Sequence, residues 1–199
     1  MICIMSKTGI IILAAGSSSR MGELKQLMKY KNKTFLQHIA GEAIDAKLDP
    51  VICVTGYQSD LIKESIRGMD VAIVHNRQWP EGMGSGISAG IRQEMLSDVD
   101  SVILAVSDQP YVSSDLFRTM LGMQAQSGKG IVACSYAGTL GTPVLFTKNY
   151  FEWLKSLNGN QGAKNIVKLN LPDVCPVEFE KGNIDIDTKA DYENLISEI

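Results

Sequence analysis

Residues 9–25 constrain the fold more than any other part of the chain. They begin with an apolar, β-branched run at residues 10–13, which is typical of a strand buried on both faces of a sheet. Small residues follow directly at 14–16, and three serines, an arginine, a second glycine and a lysine complete the segment. We therefore expect a buried first strand that ends in an open loop of small residues.

This loop has the composition of a phosphate-binding site. Gly16 and Gly22 can adopt positive φ and let the backbone approach a ligand closely. Consecutive N–H groups in such a loop form a concavity that binds anions. Arg20 and Lys25 add two positive charges of the kind that a triphosphate requires. The segment therefore predicts a phosphate-binding loop at the end of the first strand.

Two commoner phosphate-binding loops do not fit this segment. A Walker A loop needs Gly-Lys-Ser or Gly-Lys-Thr after its last spacer, whereas Gly22 is followed by Glu23. A dinucleotide fingerprint needs three spaced glycines and an acidic residue at the end of the second strand. The next predicted strand, residues 51–54, ends instead in Thr55 and Gly56.

Composition limits the class of protein. With 199 residues, of which 45% are hydrophobic, the chain can bury one substantial core, and we expect a single domain spanning residues 1–199. A formal net charge of −3 argues against a general nucleic-acid or anionic-membrane surface. The four cysteines are scattered, which favours reduced thiols in the cytoplasm over a zinc site or a disulfide framework. We expect neither a nucleic-acid nor a membrane partner.

Apolar strand patterns alternate with helical patterns along the chain. Helices are expected from Thr34, at residues 60–67, after the glycine-dense residues 81–86, near Ser113, around Trp153, at residues 163–169 and after Thr188. The remaining strands are predicted at residues 51–55, 71–74, 102–106, 131–134, 143–146 and 183–186. This alternation predicts an α/β protein of three layers (α/β/α), with a mainly parallel, Rossmann-like sheet covered on both faces.

Asp108 is the strongest single candidate for chemistry. It follows the apolar strand at residues 102–106 and precedes Pro110, so it should lie at the carboxyl edge, where open α/β sheets bind ligands. A carboxylate there suits Mg²⁺, which takes one or two carboxylates together with substrate phosphates. The alternative is an ordinary aspartate in a strand-to-helix turn, although Ser113 already supplies a helix cap.

Asp187 is the natural partner of Asp108. Residues 183–188 alternate as a strand would, which predicts that Asp185 and Asp187 share a face. Thr188 and Asp191 have the spacing of a capping box for the last helix, so Asp187 could instead be a charge at a helix start. Both interpretations stay open from the residues alone.

The pattern from Leu13 to Lys25, L-A-A-G-x-S-x-R-M-G-x-x-K, resembles the signature of the MobA-like nucleotidyltransferases. Within these the chain is most similar to the molybdenum cofactor cytidylyltransferases, and the match extends over nearly the whole sequence. The resemblance implies the nucleotide-diphospho-sugar transferase type of fold, which sugar-nucleotide pyrophosphorylases share. It also implies Mg²⁺ held by Asp108 and Asp187, with Asp185 as the rival for the second position.

The resemblance also implies the remaining site residues. Arg20, Lys25 and Asp108 would be catalytic. The implied nucleotide-binding residues are Leu13, Ala14, Ala15, Gly16, Ser17, Ser18, Arg20, Lys25, Gly82, Gly84 and Ser85. The last three belong to a segment resembling the family's G-M-G-S-S, which faces the base, and Gly86 replaces its final serine.

The acceptor side resembles the family less closely. Gly141 and Pro143 flank Thr142, where the family has histidine, and Lys164 stands where it has arginine. Lysine keeps the charge but loses the bidentate geometry of arginine. Gly141, Pro143 and Lys164 are the predicted acceptor-binding residues.

The resemblance implies transfer of CMP from CTP to molybdopterin, serving a molybdenum hydroxylase such as a xanthine dehydrogenase. The guanylyl-transferring branch has L-A-G-G where this chain has Ala15, and the extra methyl would narrow the base pocket against a purine. Two alternatives stay open: a cytidylyltransferase for a small phosphorylated alcohol or sugar, and a non-catalytic accessory protein that delivers the cofactor.

Overall fold

A computed structural model describes residues 6–18, 21–186 and 188–197. Its strands are β1 (Thr8–Ala14), β2 (Lys29–Tyr30), β3 (Lys33–Thr34), β4 (Val51–Thr55), β5 (Ala72–His75), β6 (Ser101–Val106), β7 (Ile131–Tyr136), β8 (Thr139–Thr147) and β9 (Val174–Glu178). Its α-helices are α1 (Phe35–Asp45), α2 (Ser59–Ser65), α3 (Met83–Ile91), α4 (Ser114–Ser127), α5 (Phe151–Ser156), α6 (Lys164–Leu169) and α7 (Lys189–Ser197).

Seven strands form one sheet in the order β5-β4-β1-β6-β8-β7-β9. Strands β5, β4, β1 and β6 run parallel to one another, and β9 runs parallel to β7. Strand β8 is antiparallel to both of its neighbours, β6 and β7. The sheet is therefore mainly parallel, which confirms the predicted α/β class.

Successive residues of β1 face opposite layers of helices. Ile10 and Ile12 belong to an apolar cluster that also contains side chains of α1, α2 and α4. Ile11 belongs to a second cluster with side chains of α3, α5 and α6. All three isoleucines are fully buried, and each such side chain contributes roughly 1.5–3 kcal/mol of transfer free energy. The predicted three-layer architecture follows from this two-sided burial.

Local signals place several helix starts where they were predicted. Thr34 and Gln37 form a reciprocal capping box at the start of α1. The Ser113 hydroxyl accepts a hydrogen bond from the N–H of Leu116 at the start of α4. Helix α2 ends at Ser65 rather than at residue 67. Caps mark a helix start well because their hydrogen bonds involve residues only two or three positions away.

The predicted strand at residues 183–186 is wrong. Residues 180–183 form a 3₁₀ turn, and residues 184–186 pair with no strand that the structure describes. The last strand is β9, where buried Cys175 and Val177 alternate with exposed Pro176. Pro176 lacks a backbone N–H and is tolerated because β9 is an edge strand. The expectation that Asp185 and Asp187 share a strand face loses its basis.

The glycine-dense segment at residues 81–86 is not a loop throughout. Helix α3 begins at Met83, so Gly84, Ser85 and Gly86 lie in its first turns. Gly82 precedes the helix with a φ of 120°, a conformation that L side chains rarely adopt. Because glycine is a poor helix former, the three closely spaced glycines at residues 82–86 predicted a loop. Packing against neighbouring segments makes residues 83–86 helical instead.

Asp173 joins the starts of β7 and β9. Its carboxylate accepts hydrogen bonds from the N–H of Gly130 at 3.0 Å and from the hydroxyl of Tyr150 at 2.7 Å. These bonds lower the pKa of Asp173 below its ordinary value, because they favour the ionised form. Burial and the same contact raise the pKa of Tyr150 to about 12.

We predict that Asp173→Ala lowers the free energy of unfolding by about 2 kcal/mol at neutral pH, as expected for hydrogen bonds to a charged group. Because the folded-state pKa is depressed, this stabilisation is present above the ordinary carboxyl pKa and is lost as pH falls through the folded-state value. Urea denaturation from pH 7 down to pH 3 should therefore show the difference from the wild type shrinking. The exposed Asp98 provides a control, Asp98→Ala, which should show little effect at either pH. Equal stabilities of Asp173→Ala and the wild type at pH 7 would contradict the prediction.

Candidate nucleotide-binding site

A cavity of about 340 Å³ lies at the carboxyl ends of β1 and β6. The two strands are parallel neighbours, with Leu13 opposite Val106, so the loops that follow them leave the sheet side by side. The residues lining the cavity are Leu13, Ala15, Gly16, Ser18, Lys25, Gln26, Trp79, Gly82, Met83, Gly86, Val106, Ser107 and Asp108. The predicted phosphate loop, Asp108 and the start of α3 thus meet at one place.

Lys25 and Asp108 form an ion pair in this cavity. The Lys25 Nζ lies 2.8 Å from the Asp108 Oδ2, and the two side chains are 17% and 22% exposed. They are the charged residues among the described lining residues, so the cavity carries one group of each sign. Two residues that are predicted to act on a nucleotide, and that lie 83 positions apart in the sequence, therefore meet.

Gln26 gives the loop that follows β1, called the first loop below, its shape. This residue was missed by the sequence analysis. Its buried side chain donates hydrogen bonds from Nε2 to the carbonyl oxygens of Ala14, at 3.1 Å, and Gly16, at 2.9 Å. The N–H of Lys25 donates to the Ser18 hydroxyl at 3.1 Å. No local pattern marks Gln26, because its carbonyl partners lie 10 and 12 positions earlier in the chain.

Ala14 and Ser17 do not line the cavity. Ala14 is buried in the last position of β1, and its contribution to the site is the carbonyl oxygen that Gln26 holds. Ser17 is partly exposed beside Gly16. Their assignment to nucleotide binding stays a prediction.

Arg20 and Asp187 lie outside the described residues, so their predicted roles have no structural account. The N–H of Ile186, the residue before Asp187, donates to the carbonyl oxygen of Asp108 at 3.2 Å. Asp185 is exposed. The backbone at Ile186 therefore reaches the Asp108 loop, although residues 184–186 pair with no strand that the structure describes.

The described residues contain no group of three or more potential metal ligands among histidine, cysteine, aspartate and glutamate. Asp108 is the carboxylate that lines the cavity. One or two carboxylates together with phosphate oxygens are sufficient for Mg²⁺, which keeps several of its waters. Asp108 therefore fits a metal held jointly with a nucleotide.

The start of α3 contributes some of its predicted contacts and not others. Gly82, Met83 and Gly86 line the cavity. Ser85 does not line it; its buried hydroxyl shares its hydrogen between the carbonyls of Gln78 and Gly82 and accepts from Asn76 Nδ2 at 2.8 Å. Gly84 packs against the 158–161 segment, where its N–H donates to the carbonyl of Gly159 at 2.9 Å. These contacts give Ser85 and Gly84 structural roles beside the site.

Trp79 forms a wall of the cavity. Its ring packs against Tyr57 at a centroid distance of 5.5 Å. Gly56 makes this arrangement possible, because a Cβ at that position would lie 2.5 Å from the Cβ of Trp79. The Trp79 side chain therefore packs closely against Gly56, the residue that follows β4.

The predicted acceptor residues Gly141, Pro143 and Lys164 do not line the cavity. Gly141 lies against the Tyr136 ring, and Lys164 is exposed at the start of α6. Gln109, which follows Asp108 and is 3% exposed, donates to the carbonyl of Thr142 at 3.2 Å. The segment containing Gly141 and Pro143 is therefore tied to the Asp108 loop, and Lys164 is not joined to it by any contact that the structure describes.

The described cysteines do not belong to the site. Cys53, Cys134 and Cys175 are free thiols and are buried. Burial raises the pKa of Cys53 and that of Cys134 to about 12, which keeps both thiols protonated at neutral pH. Cys3 lies outside the described residues. None of the three described cysteines lines the cavity or forms a disulfide.

Comparison with known proteins gives the site its context. The MobA-like NTP transferase domain matches residues 10–174. The chain belongs to this family. It is therefore a nucleotidyltransferase. Separately, none of the helices that the structure describes is long and apolar enough to cross a membrane.

Several known proteins are similar to this chain along most of their length. The purine catabolism protein PucB of Bacillus subtilis is 25% identical over 194 residues, covering 92% of this chain and 93% of that protein. The molybdenum cofactor cytidylyltransferase of Escherichia coli is 26% identical over 191 residues, covering 94% and 95%. A probable molybdenum cofactor guanylyltransferase of Bacillus cereus is 30% identical over 129 residues, covering 64% and 62%.

A solved structure has the same fold. Rv0371c from Mycobacterium tuberculosis superimposes with a TM-score of 0.80 and 26% identity, covering 96% of this chain and 98% of that one. A second structure of Rv0371c, a complex with manganese, superimposes with a TM-score of 0.76 and 25% identity, covering 96% and 98%. A structural neighbour of this chain is thus a manganese complex.

We predict that Gln26→Leu destabilises the protein by about 2 kcal/mol and weakens binding of CTP, because two carbonyl oxygens of the first loop lose their donor. Gln93→Leu is the matched control, since Gln93 Nε2 donates to a helix carbonyl, that of Ala89 at 2.9 Å, outside the cavity lining. Urea denaturation and calorimetric titration with CTP and MgCl₂ should show lost stability in both variants and lost affinity in Gln26→Leu. An unchanged CTP affinity of Gln26→Leu would contradict the role in shaping the loop.

Proposed function

We propose that this protein transfers CMP from CTP to the phosphate of a molybdopterin-type acceptor and releases pyrophosphate. The observation that carries the proposal is the Lys25–Asp108 pair, at 2.8 Å, in a cavity at the carboxyl edge of a parallel sheet. A nucleotidyltransferase needs a cation for the leaving phosphates and a carboxylate for a divalent metal at the same place. The cavity brings these two groups together.

The first loop would hold the triphosphate. Lys25 would contact the β- and γ-phosphates, with Arg20 as the second cation. Asp108 and Asp187 would hold Mg²⁺, a choice supported by the carboxylate chemistry of Asp108 and by the manganese complex of Rv0371c. When bound, such a metal supplies positive charge that stabilises the negative charge developing on the phosphate oxygens.

The reaction is a single displacement at the α-phosphorus. A phosphate oxygen of the acceptor forms a bond to the α-phosphorus, and the bond from that phosphorus to the bridging oxygen of the β-phosphate breaks. Pyrophosphate leaves with the electron pair. The protein positions the two substrates in line and neutralises the leaving group, so no protein nucleophile is needed. Burial of Cys53 and Cys134, which raises the pKa of each thiol to about 12, agrees with a mechanism that needs no protein nucleophile.

Two observations support cytosine as the base. Ala15 lines the cavity, and a methyl group at this position would leave less room for a purine than glycine would. The cytidylyltransferase of E. coli matches over 94% of this chain, and the guanylyltransferase of B. cereus over 64%. One methyl group is worth only about 1–3 kcal/mol, so Ala15 biases the choice of base and other lining residues contribute.

The acceptor would bind beside the nucleotide, near Gly141, Pro143 and Lys164. The hydrogen bond from Gln109 Nε2 to the Thr142 carbonyl supports this location, because it links the segment containing Gly141 and Pro143 to the residue that follows Asp108. A xanthine dehydrogenase-like hydroxylase would then receive the cytosine dinucleotide form of the cofactor.

A cytidylyltransferase for a small phosphorylated alcohol or sugar would use the same nucleotide site. The exposed Lys164 favours this alternative, because a single flexible ammonium group selects its acceptor less strictly than a bidentate guanidinium. A cofactor carrier without catalysis has less support, since a carrier has no use for a cation and a carboxylate paired in the cavity.

We predict that Lys25→Ala lowers kcat by about 100-fold or more, because the leaving pyrophosphate loses a positive charge placed beside it. Pyrophosphate release with CTP and molybdopterin measures this rate. Lys63→Ala, which removes an exposed lysine of α2, is the control and should leave the rate unchanged. A kcat of Lys25→Ala equal to that of the wild type would contradict the role of Lys25.

The proposed substrates make a separate prediction. With molybdopterin as acceptor, CTP should be used at least about 10-fold more efficiently than GTP, as expected for discrimination by pocket size. Measuring kcat/KM for both nucleotides tests the base, and equal values would refute cytosine.

Replacing molybdopterin with phosphorylated alcohols and sugars tests the acceptor. Pyrophosphate release with one of these and not with molybdopterin would favour the alternative, and no release with any acceptor would favour a carrier.

A further inference from the structure

Gln109 joins the loop that follows β6 to two distant parts of the chain. Its Nε2 donates hydrogen bonds to the carbonyl oxygens of Thr142, at 3.2 Å, and Gly182, at 2.8 Å, which lie 33 and 73 positions further along the sequence. The side chain is 3% exposed, and hydrogen bonds are stronger in such a low-dielectric interior than in water. A single buried amide therefore connects the residue beside Asp108 to two other segments.

The two accepting segments are themselves held in place around Tyr136, the last residue of β7. A Cβ on Gly141 would overlap the Tyr136 hydroxyl, and a Cβ on Gly182 would overlap its ring, so the backbone at both glycines lies against this side chain. The N–H of Phe179 donates to a β7 carbonyl at 3.0 Å, and its ring packs edge-on against Tyr136 at 6.3 Å. Gln109 therefore bonds to backbone whose position is set by β7 and β8.

Two further contacts lie at the same junction. The N–H of Ile186 donates to the carbonyl oxygen of Asp108 at 3.2 Å. The Lys181 ammonium lies 4.2 Å from the centroid of the Tyr111 ring. The loop after β6 therefore lies alongside the segment that follows β9, and the Gln109 amide adds a bond to β8.

The amide oxygen of Gln109 indicates that this side chain is not there for stability alone. It is buried and has no hydrogen-bond partner among the described residues. A buried acceptor without a donor is unfavourable. An amide nitrogen carries two N–H groups, and Gln109 directs its nitrogen at two carbonyl oxygens. The arrangement sacrifices one polar atom and joins three segments.

We propose that Gln109 is a positioning residue that holds Asp108 where it meets a nucleotide-bound metal. The inference rests on the nucleotidyl transfer proposed above, in which Asp108 binds the metal together with phosphate oxygens. The two residues are consecutive, so anchoring the Gln109 side chain restricts where the Asp108 carboxylate can lie. Gln109 does not line the cavity, and it therefore acts through Asp108.

Loss of the Gln109 amide should affect the metal more than the nucleotide. The triphosphate would bind to the first loop, which Gln26 supports through the carbonyls of Ala14 and Gly16. The metal would depend on the Asp108 carboxylate, and residues that orient a metal ligand commonly change metal affinity when they are replaced. Weaker metal binding with unchanged metal-free nucleotide binding is the signature of the proposed role.

The test is Gln109→Met, which keeps the length of the side chain and removes both N–H donors. Gln37→Met is the matched control, because Gln37 Nε2 also donates to a distant carbonyl, that of Ser65 at 2.7 Å, and Gln37 does not line the cavity. Gln109→Asn, whose shorter side chain cannot reach both carbonyls, provides a second variant that is read in the same way. Urea denaturation should show that the variants are folded.

The measurement is calorimetric titration with CTP, once in EDTA and once in saturating MnCl₂, without acceptor. The ratio of the two dissociation constants gives the contribution of the metal. We expect this ratio to fall about 10-fold in Gln109→Met, with the metal-free Kd unchanged, and to stay at the wild-type value in Gln37→Met. If CTP binds only with metal, an increase of about 10-fold in its Kd in Gln109→Met and none in Gln37→Met supports the role.

Four results would overturn the positioning role. They are an unchanged ratio in Gln109→Met, an equal fall in Gln37→Met, a wild type whose CTP affinity does not depend on Mn²⁺, and a wild type that does not bind CTP. The first two would leave Gln109 with a structural role only.

These binding measurements are independent of the acceptor. A reduced contribution of the metal in Gln109→Met, without pyrophosphate release from molybdopterin by the wild type, would retain the positioning role and refute the proposed acceptor. Pyrophosphate release from molybdopterin by the wild type, with an unchanged contribution of the metal in Gln109→Met, would retain the proposed function and refute the positioning role.

Discussion

The contact between Lys25 and Asp108 is the interaction on which the site depends. The two residues are 83 positions apart and meet because β1 and β6 are adjacent parallel strands whose following loops leave the same edge of the sheet. Both side chains remain partly exposed, so the pair contributes little to stability. Its importance lies in position, since it holds a cation and a carboxylate together where a nucleotide and a metal would bind.

A buried glutamine follows each of these charged residues and donates to backbone carbonyls of other segments. Gln26 donates to two carbonyls of the first loop, and Gln109 donates to the carbonyls of Thr142 and Gly182. Each is only 3% exposed. Unsatisfied carbonyls are costly when buried, so these amides hold irregular backbone in one conformation. The charged side chains therefore project from supported loops.

Much of the fold could be predicted because its signals are local. The buried strand at residues 10–13 and the Thr34 and Ser113 caps depend on neighbouring residues, and the structure contains each of them. Strand β9 was missed and residues 183–186 were mistaken for a strand, because pairing requires a partner that alternation alone does not reveal. The α3 start was taken for a loop because the packing that tolerates Gly84 and Gly90 comes from distant segments.

The sequence by itself determined the mainly parallel α/β fold, and it predicted a phosphate-binding loop after β1 and Asp108 as the leading carboxylate. These follow from residue types and short spacings, which a single chain displays in order. Only the tertiary structure decided that Lys25 pairs with Asp108, that Gln26 supports the loop, and that Gly86 opens into the cavity where Ser85 does not. Each of these depends on which segments the sheet order brings together, and that order arises from packing among residues far apart in the chain.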